Sequence, residues 1–133
     1  MKLNLENLNP GVFFPFDEDD EESKDGVTIR LANGDILDQI NKKCTKKTVQ
    51  FRRGQRHEVI EEDEDRRSIL LWDYVILGWS GLVDDKTGDD IPCTKDNKVL
   101  LMKGSVKFAS FIGNAVEKLT EDSDLYNEVL EKN

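Results

Sequence analysis

The segment from Arg66 to Leu82 is the most apolar part of a polar, acidic chain, and it restricts the fold more than any other feature. Its large apolar side chains recur at steps of three and four, the spacing of one face of an α-helix, at Ile69, Trp72, Val75, Ile76 and Trp79. That face is widened around most of the helix by Leu70, Leu71, Tyr74 and Leu77. We therefore predict a central helix over 66–82, which ends at Gly81 and is buried on several sides by its own fold or by a partner chain.

Length and composition indicate one small domain spanning residues 1–133. Domains commonly hold about 100–150 residues, which allows one modest core. Hydrophobic residues make up 37% of the chain and charged residues 35%, so the core must be concentrated in a few segments. The net charge of −9 argues against nucleic acid or an anionic membrane as the main partner, because both require a basic surface.

The cysteine and histidine content argues against several kinds of site. Cys44 and Cys93 lie in unrelated contexts, no C-x-x-C pattern occurs, and His57 is the only histidine. A disulfide framework or a structural zinc site is therefore not expected.

No stretch has the length of a transmembrane helix, and residues 1–11 lack the apolar core of a signal peptide. We accordingly expect a protein of a reducing cytoplasm.

The first third of the chain predicts a β-hairpin with an acidic tip. Residues 12–16 are aromatic and strand-like, and residues 26–31 alternate between apolar and polar side chains. The acidic run 17–25 would form the tip, and residues 1–10 are expected to be a loose arm. Calcium binding is the alternative for the acidic run and for residues 84–90, but both lack the ligand spacing of an EF-hand loop.

A short helix and a second hairpin are predicted next. The helix starts with Asp35 as its cap and runs to about Cys44, and two strands follow at 48–51 and 57–60 around a glycine. The basic cluster 42–56 is flanked by acidic runs, so internal charge complementarity explains it. A phosphate-binding role is the alternative, and it is disfavoured because no aromatic residue interleaves with the lysines.

The C-terminal half is predicted to be mainly helical. Thr94 can cap a helix that contains 99–102, and Ser105 can cap a longer helix over 105–119. The longer helix carries an apolar stripe at Phe108, Phe111, Ile112, Ala115, Val116 and Leu119. It is the natural packing partner of the 66–82 helix, and residues 120–133 form a last short helix or tail. The fold class is therefore α+β, with small N-terminal β-hairpins followed by a mainly helical C-terminal half packed on a central apolar helix.

The sequence offers little to suggest catalysis. It has no G-x-S-x-G, P-loop, G-x-G-x-x-G or H-E-x-x-H pattern. His57 has no companion ligand or nucleophile and is expected to be a surface residue. Cys44 lies among lysines, but no base or second thiol pairs with it, so a structural role is expected. We expect no enzymatic activity, no catalytic residue, no cofactor and no metal.

Three segments carry a resemblance to small proteins of long-tailed bacteriophages and prophages. They read WDYVILGWSGLVDD, then GDDIPCTKDNKVLLM, then KFASFIGNAVEKL. The shared pattern is an apolar helix ending in W-x-G, a turn of Asp and Gly, I/V-P-C-T, a charged cap turn and an F-x-x-F/I helix. The upstream GVTIRL strand and the Lys-rich segment after the short helix fit the pattern too, so the resemblance covers about residues 11–119. Over this range the chain resembles tail assembly chaperone-like proteins of siphovirus-type phages.

The resemblance implies a non-enzymatic protein of the bacterial host cytoplasm. Such chaperones bind the long helical tape-measure protein, keep it soluble, help recruit tail-tube subunits and leave the finished tail. An amphipathic helix of this kind needs a groove with apolar anchors and a polar rim. The residues that could supply anchors are Trp79, Leu82, Phe108, Phe111, Leu125, Tyr126 and Val129.

Two other classes of function stay open at this stage. The first is a structural or completion component of the tail or connector, which would be retained in the virion. The second is an enzyme or a metal-binding regulator, for which a calcium titration followed by melting temperature is the discriminating measurement. The sequence does not decide between a monomer and a homo-oligomer.

Overall fold

The computed structural model describes residues 1–20 and 22–121. In chain order, the elements of this part are β1 (Val12–Pro15), β2 (Gly26–Ile29), α1 (Gly34–Cys44), β3 (Thr45–Arg52), β4 (Gln55–Glu62), α2 (Glu64–Val75), β5 (Ile76–Ser80), α3 (Lys95–Gly104) and α4 (Val106–Glu121). Short strands precede a mainly helical half, so the predicted α+β class is confirmed.

The first sheet is antiparallel and has the strand order β1-β2-β5. Strands β1 and β2 form the predicted hairpin, in which Phe14 lies opposite Val27. Strand β5 pairs with the other edge of β2 and places Trp79 opposite Val27. The middle strand is accordingly the most buried, with Val27 and Ile29 both fully shielded from solvent.

The predicted helix over 66–82 is wrong in its second half. Helix α2 ends at Val75, and the chain continues directly as strand β5 from Ile76 to Ser80. The segment is apolar nearly all round, so its periodicity could not separate a helix from a buried strand. The open edge of β2 supplies the backbone hydrogen bonds that favour the strand, and β-branched and aromatic residues suit it.

Helix α1 spans the predicted range with a different cap. The side chain of Asn33, and not that of Asp35, accepts the hydrogen bond from the N–H of Ile36, at 3.0 Å. Asp35 lies inside the first turn, where its charge still favours the positive end of the helix. The helix ends at Cys44, and strand β3 begins at the next residue.

Strands β3 and β4 form the second predicted hairpin, with eight residues in each strand. The turn consists of Arg53 and Gly54, which have φ values of 53° and 77°. Two positive φ values in a two-residue loop match the right-handed twist of the flanking strands. This hairpin is a separate two-stranded sheet, called the ribbon below.

The C-terminal helices begin at the predicted caps. Thr94 Oγ1 accepts a hydrogen bond from the N–H of Asn97 at 3.2 Å, and Ser105 Oγ accepts one from the N–H of Phe108 at 3.1 Å. Among the described helices, none is alone long and apolar enough to cross a membrane, and α3 and α4 meet that criterion only together, across a bend of 103°.

The core lies between the first sheet and helix α4. The buried residues of that helix are Phe108, Ile112, Ala115 and Leu119, and they cluster with the buried residues of β2 and with Ile76 of β5. Helix α4 was predicted to pack on a continuous 66–82 helix. Its packing partner here includes β5, because that segment extends the sheet.

Candidate protein-binding groove

An open groove of about 650 Å³ lies between the N-terminal half of α4 and the loop that follows β5. Its apolar lining comes from four parts of the chain, namely Phe16, the loop residues Leu82, Val83 and Ile91, Leu101 of α3, and Phe108 and Phe111 of α4. Its polar lining consists of Ser105, Lys107, Ser110 and Asn114. The arrangement is an apolar floor with polar groups on the α4 side.

Phe108 lies at the base of the groove and is only 7% exposed. Its ring meets the indole of Trp79 edge to face, with 5.7 Å between ring centroids and 81° between planes. Such aromatic pairs contribute about 0.5–1.5 kcal/mol beyond the burial of their area. Phe108 therefore joins the groove to the core.

Phe111 is half-buried and forms part of the wall. Its ring is tilted by 53° against that of Phe16, with centroids 5.1 Å apart. Phe16 follows directly after β1, so this contact ties the end of the N-terminal hairpin to α4. The exposed part of Phe111 is available to a ligand in the groove.

The loop wall is held by hydrogen bonds at both of its ends. Trp79 Nε1 donates to the carbonyl of Ile91 at 2.7 Å, and the N–H of Ile91 donates to the carbonyl of Leu82 at 2.8 Å. Val83 and Asp90 form an isolated antiparallel bridge inside the loop. These bonds hold the apolar residues of the loop towards the groove.

A second groove of about 570 Å³ lies on the far side of Phe111 and runs along α4 to Glu121. Phe111 and Asn114 line both grooves. An ion pair between Lys118 of α4 and Glu18 of the acidic loop borders this second groove. The hydrogen bond and charge of Lys118 lower the pKa of Glu18 from its ordinary value.

The structure brings together three of the residues predicted as anchors. Leu82, Phe108 and Phe111 line one groove, whereas Trp79 contacts Phe108 and holds the loop without lining that groove. The other three predicted anchors, Leu125, Tyr126 and Val129, lie outside the described residues.

Four apolar lining residues were missed by sequence reasoning, namely Phe16, Val83, Ile91 and Leu101. Phe16 ends an aromatic strand and Leu101 belongs to a predicted helix, so both carried an apolar signal. Neither signal indicated a shared groove, because that depends on the packing of α3 and the hairpin against α4. Val83 and Ile91 flank a segment of turn residues, so neither carried a signal for the groove.

The histidine and the two cysteines considered in the sequence analysis lie outside the groove. His57 is exposed, Cys44 is buried and Cys93 is half-buried, and both thiols are free. Burial raises the pKa of Cys93, an effect opposed by the charge of Lys98. Within residues 1–20 and 22–121, no three His, Cys, Asp or Glu side chains converge as a metal site requires.

A protein-family model described as YdaY prophage protein matches residues 30–133. This match covers well over half of the chain. The chain belongs to the YdaY prophage protein family. The matched range contains the loop, α3 and α4, and thus every lining residue of the first groove except Phe16. The phage or prophage origin expected from the resemblance is confirmed.

Two further comparisons gave no additional relative. A search of curated proteins and a search of solved structures each found no match.

Proposed function

We propose that this YdaY-family prophage protein is a tail assembly chaperone that binds an amphipathic helix of the tape-measure protein. The observation that carries the proposal is the first groove, whose apolar lining is drawn from four segments and bordered by polar side chains. A groove of this composition suits helix-in-groove recognition, in which apolar residues at steps of three and four enter the groove. The prophage family supports a phage helix as the occupant.

The dimensions of α4 agree with that kind of ligand. From Ser105 to Asn114 the lining residues span about 13 Å of helix axis, at about 1.5 Å per residue. Anchors at positions i, i+4 and i+7 of a docked helix spread over about 10 Å by the same rise. Two successive turns of the ligand can therefore contact the groove, and the second groove extends the track along α4.

The charge of the chain suits a solubilising role. A net charge of −9 favours the solubility of the free chaperone and of its complex, because it opposes non-specific aggregation. A long apolar-faced helix such as the tape measure is prone to aggregation until its apolar face is covered. The proposed protein acts in the host cytoplasm without enzymatic chemistry, helps recruit tail-tube subunits and leaves the finished tail.

The test is binding of the purified protein to fragments of the tape-measure protein encoded by the same prophage. We expect saturable binding, and we expect Phe111→Ala and Leu82→Ala to weaken it about tenfold or more, as central anchors do. The matched control is Val106→Ala, because Val106 lies on α4 but is 84% exposed and does not line the groove. Absence of binding by the folded, soluble protein to every fragment would contradict the proposal.

Mass spectrometry of purified particles separates the chaperone from a retained tail or connector component. A chaperone is expected in assembly intermediates and absent from finished particles. Stoichiometric recovery of the protein from particles would overturn the chaperone role and favour the structural one.

A further inference from the structure

The ribbon formed by β3 and β4 leaves an apolar surface exposed. Its large exposed residues are Val49, Phe51 and Ile60, with exposed fractions of 46%, 73% and 61%. Within the described residues, the outer edge of β4 pairs with no other strand. A two-stranded hairpin on its own is only marginally stable in water, and an unpaired edge is a template for another strand.

We propose that two copies of this chain pair through the outer edges of β4, antiparallel about a two-fold axis at Val59. The product is a four-stranded sheet with the order β3-β4-β4-β3. This inference concerns the ribbon alone and does not depend on what occupies the groove beside α4.

The hydrogen-bonding groups of β4 point the right way for this pairing. In a two-residue hairpin, the residues that flank the turn form a hydrogen-bonded pair, and such pairs alternate along the strands. Arg52 and Gln55 flank the turn here. The backbone N–H and C=O groups of Arg56, Glu58 and Ile60 therefore point away from β3, as do those of Glu62.

Charge selects the register among the possible two-fold pairings. With Val59 on the axis, Arg56 lies opposite Glu62 of the second copy, and this favourable pair occurs twice. Glu58 lies opposite Ile60, so no like charges face each other directly. Residues 56–62 of both copies are then paired.

Other two-fold registers of β4 are less favourable. An axis at Glu58 would place two Glu58 carboxylates opposite each other, and an axis at Ile60 would place Glu58 opposite Glu62. An axis at His57 would pair only residues 55–59, since the strand begins at Gln55. Like charges directly opposite in a sheet are destabilising.

The outer edge of β3 is protected against the same association. An antiparallel pairing of two β3 strands about Val49 would place Lys46 opposite Arg52. Charged residues, lysine above all, are a common means of protecting an edge strand. Strand β3 has three basic residues and no acidic one, so only the β4 edge carries charges of both signs that can pair with those of a second copy.

The proposed sheet also covers apolar side chains. Val59, half-buried in the free ribbon, meets its own copy across the axis as a β-branched pair. The two Ile60 side chains lie diagonally across the new strand pair, each on the same face as Val49.

The experiment measures the mass of the full chain in solution by light scattering and sedimentation. We expect a dimer for the unaltered protein, and a dissociation constant raised about ten- to a hundredfold in Arg56→Glu and in Glu62→Arg. The control is Arg52→Glu, which makes the same charge change beyond the paired residues and should leave the dimer intact. Far-UV circular dichroism verifies that each variant is folded.

Mixing the two single variants provides the decisive result. The altered position 56 of one chain then faces the altered position 62 of the other, so unlike charges are restored in both contacts of a heterodimer. Recovery of a dimer in the mixture, and in the double variant R56E/E62R, supports the proposal. The proposal is overturned if the unaltered protein is a monomer at about 100 μM, a concentration well above a micromolar dissociation constant. It is also overturned if R52E and R56E raise the dissociation constant of the dimer equally.

Discussion

The indole nitrogen of Trp79 donates a hydrogen bond of 2.7 Å to the backbone carbonyl of Ile91. Trp79 lies in strand β5, and Ile91 lies at the end of the loop that forms one wall of the groove. This bond joins the core to the candidate site, because the same indole packs against Phe108. A residue predicted as a binding anchor therefore supports the groove from behind.

Trp79→Phe is expected to destabilise the protein by about 1–2 kcal/mol, because the carbonyl of Ile91 loses its donor and the ring becomes smaller. The amide of Ile91, which bonds to Leu82, should exchange with solvent faster. Chemical denaturation and hydrogen exchange measure the two effects. The comparison is Trp72→Phe, which alters the indole on α2. Equal exchange at Ile91 in both variants would contradict the role of Trp79.

Removing the carboxylate that pairs with Lys98 should lower the free energy of unfolding more than removing the charge of Lys98 itself, because its ammonium is buried. Lys98 Nζ donates to the carboxylate and to the backbone carbonyl of Asp73, both at 3.1 Å, and the side chain is 9% exposed. Asp73→Ala leaves the buried charge with fewer acceptors and should cost about 2–3 kcal/mol. Lys98→Met removes the charge while keeping the stem, so it should cost less. Urea denaturation gives both free energies of unfolding, and the reverse order would contradict this account.

Gly26 should not tolerate a side chain. It pairs with Pro15 on one side and Ser80 on the other, and an added Cβ would overlap the carbonyl oxygen of Phe14 and lie 2.8 Å from Pro15 Cα. Gly26→Ala should therefore cost about 2–3 kcal/mol, since backbone atoms must move. Gly34→Ala is the control, because no atom beyond its chain neighbours and the backbone of its own helix lies within 4 Å of its added Cβ. Melting temperatures compare the two variants, and similar values would show that the sheet adjusts.

The ion pair between Glu18 and Lys118 should make part of the stability of the fold depend on pH. Lys118 lowers the pKa of Glu18 from its ordinary value of 4.5. The pair therefore stabilises the fold at pH values above the pKa that Glu18 has in the unfolded chain. This contribution is lost as the pH falls through the pKa that Glu18 has in the folded protein. Lys118→Gln should raise the pKa of Glu18 towards 4.5, as measured by NMR titration of its carboxyl. Lys107→Gln on the same helix is the control. An unchanged titration in K118Q would show that the pair does not form in solution.

Local patterns accounted for much of the fold. The caps Thr94 and Ser105 and the turn at Arg53 and Gly54 depend on hydrogen bonds or backbone angles a few residues apart, so the sequence displays them directly. The cap of α1 was misplaced by two residues, from Asn33 to Asp35, because either side chain can serve.

Part of the groove was predictable from the sequence, because some of its lining residues are recognisable by their size and apolar character. Leu82, Phe108 and Phe111 were recognisable as large apolar residues near the ends of elements. Phe16 was not recognisable as their neighbour, because it is far away in sequence and reaches Phe111 only through the packing of the hairpin on α4.

The amino-acid sequence by itself determined the α+β class, both hairpins and the apolar stripe of α4, because each follows from spacing over a few residues. Only the tertiary structure decided that the chain changes from helix to strand between Val75 and Ile76. That segment is apolar nearly all round, so its periodicity does not distinguish a helix from a strand. The free backbone edge of β2, distant in sequence, offered hydrogen bonds that only a strand can complete.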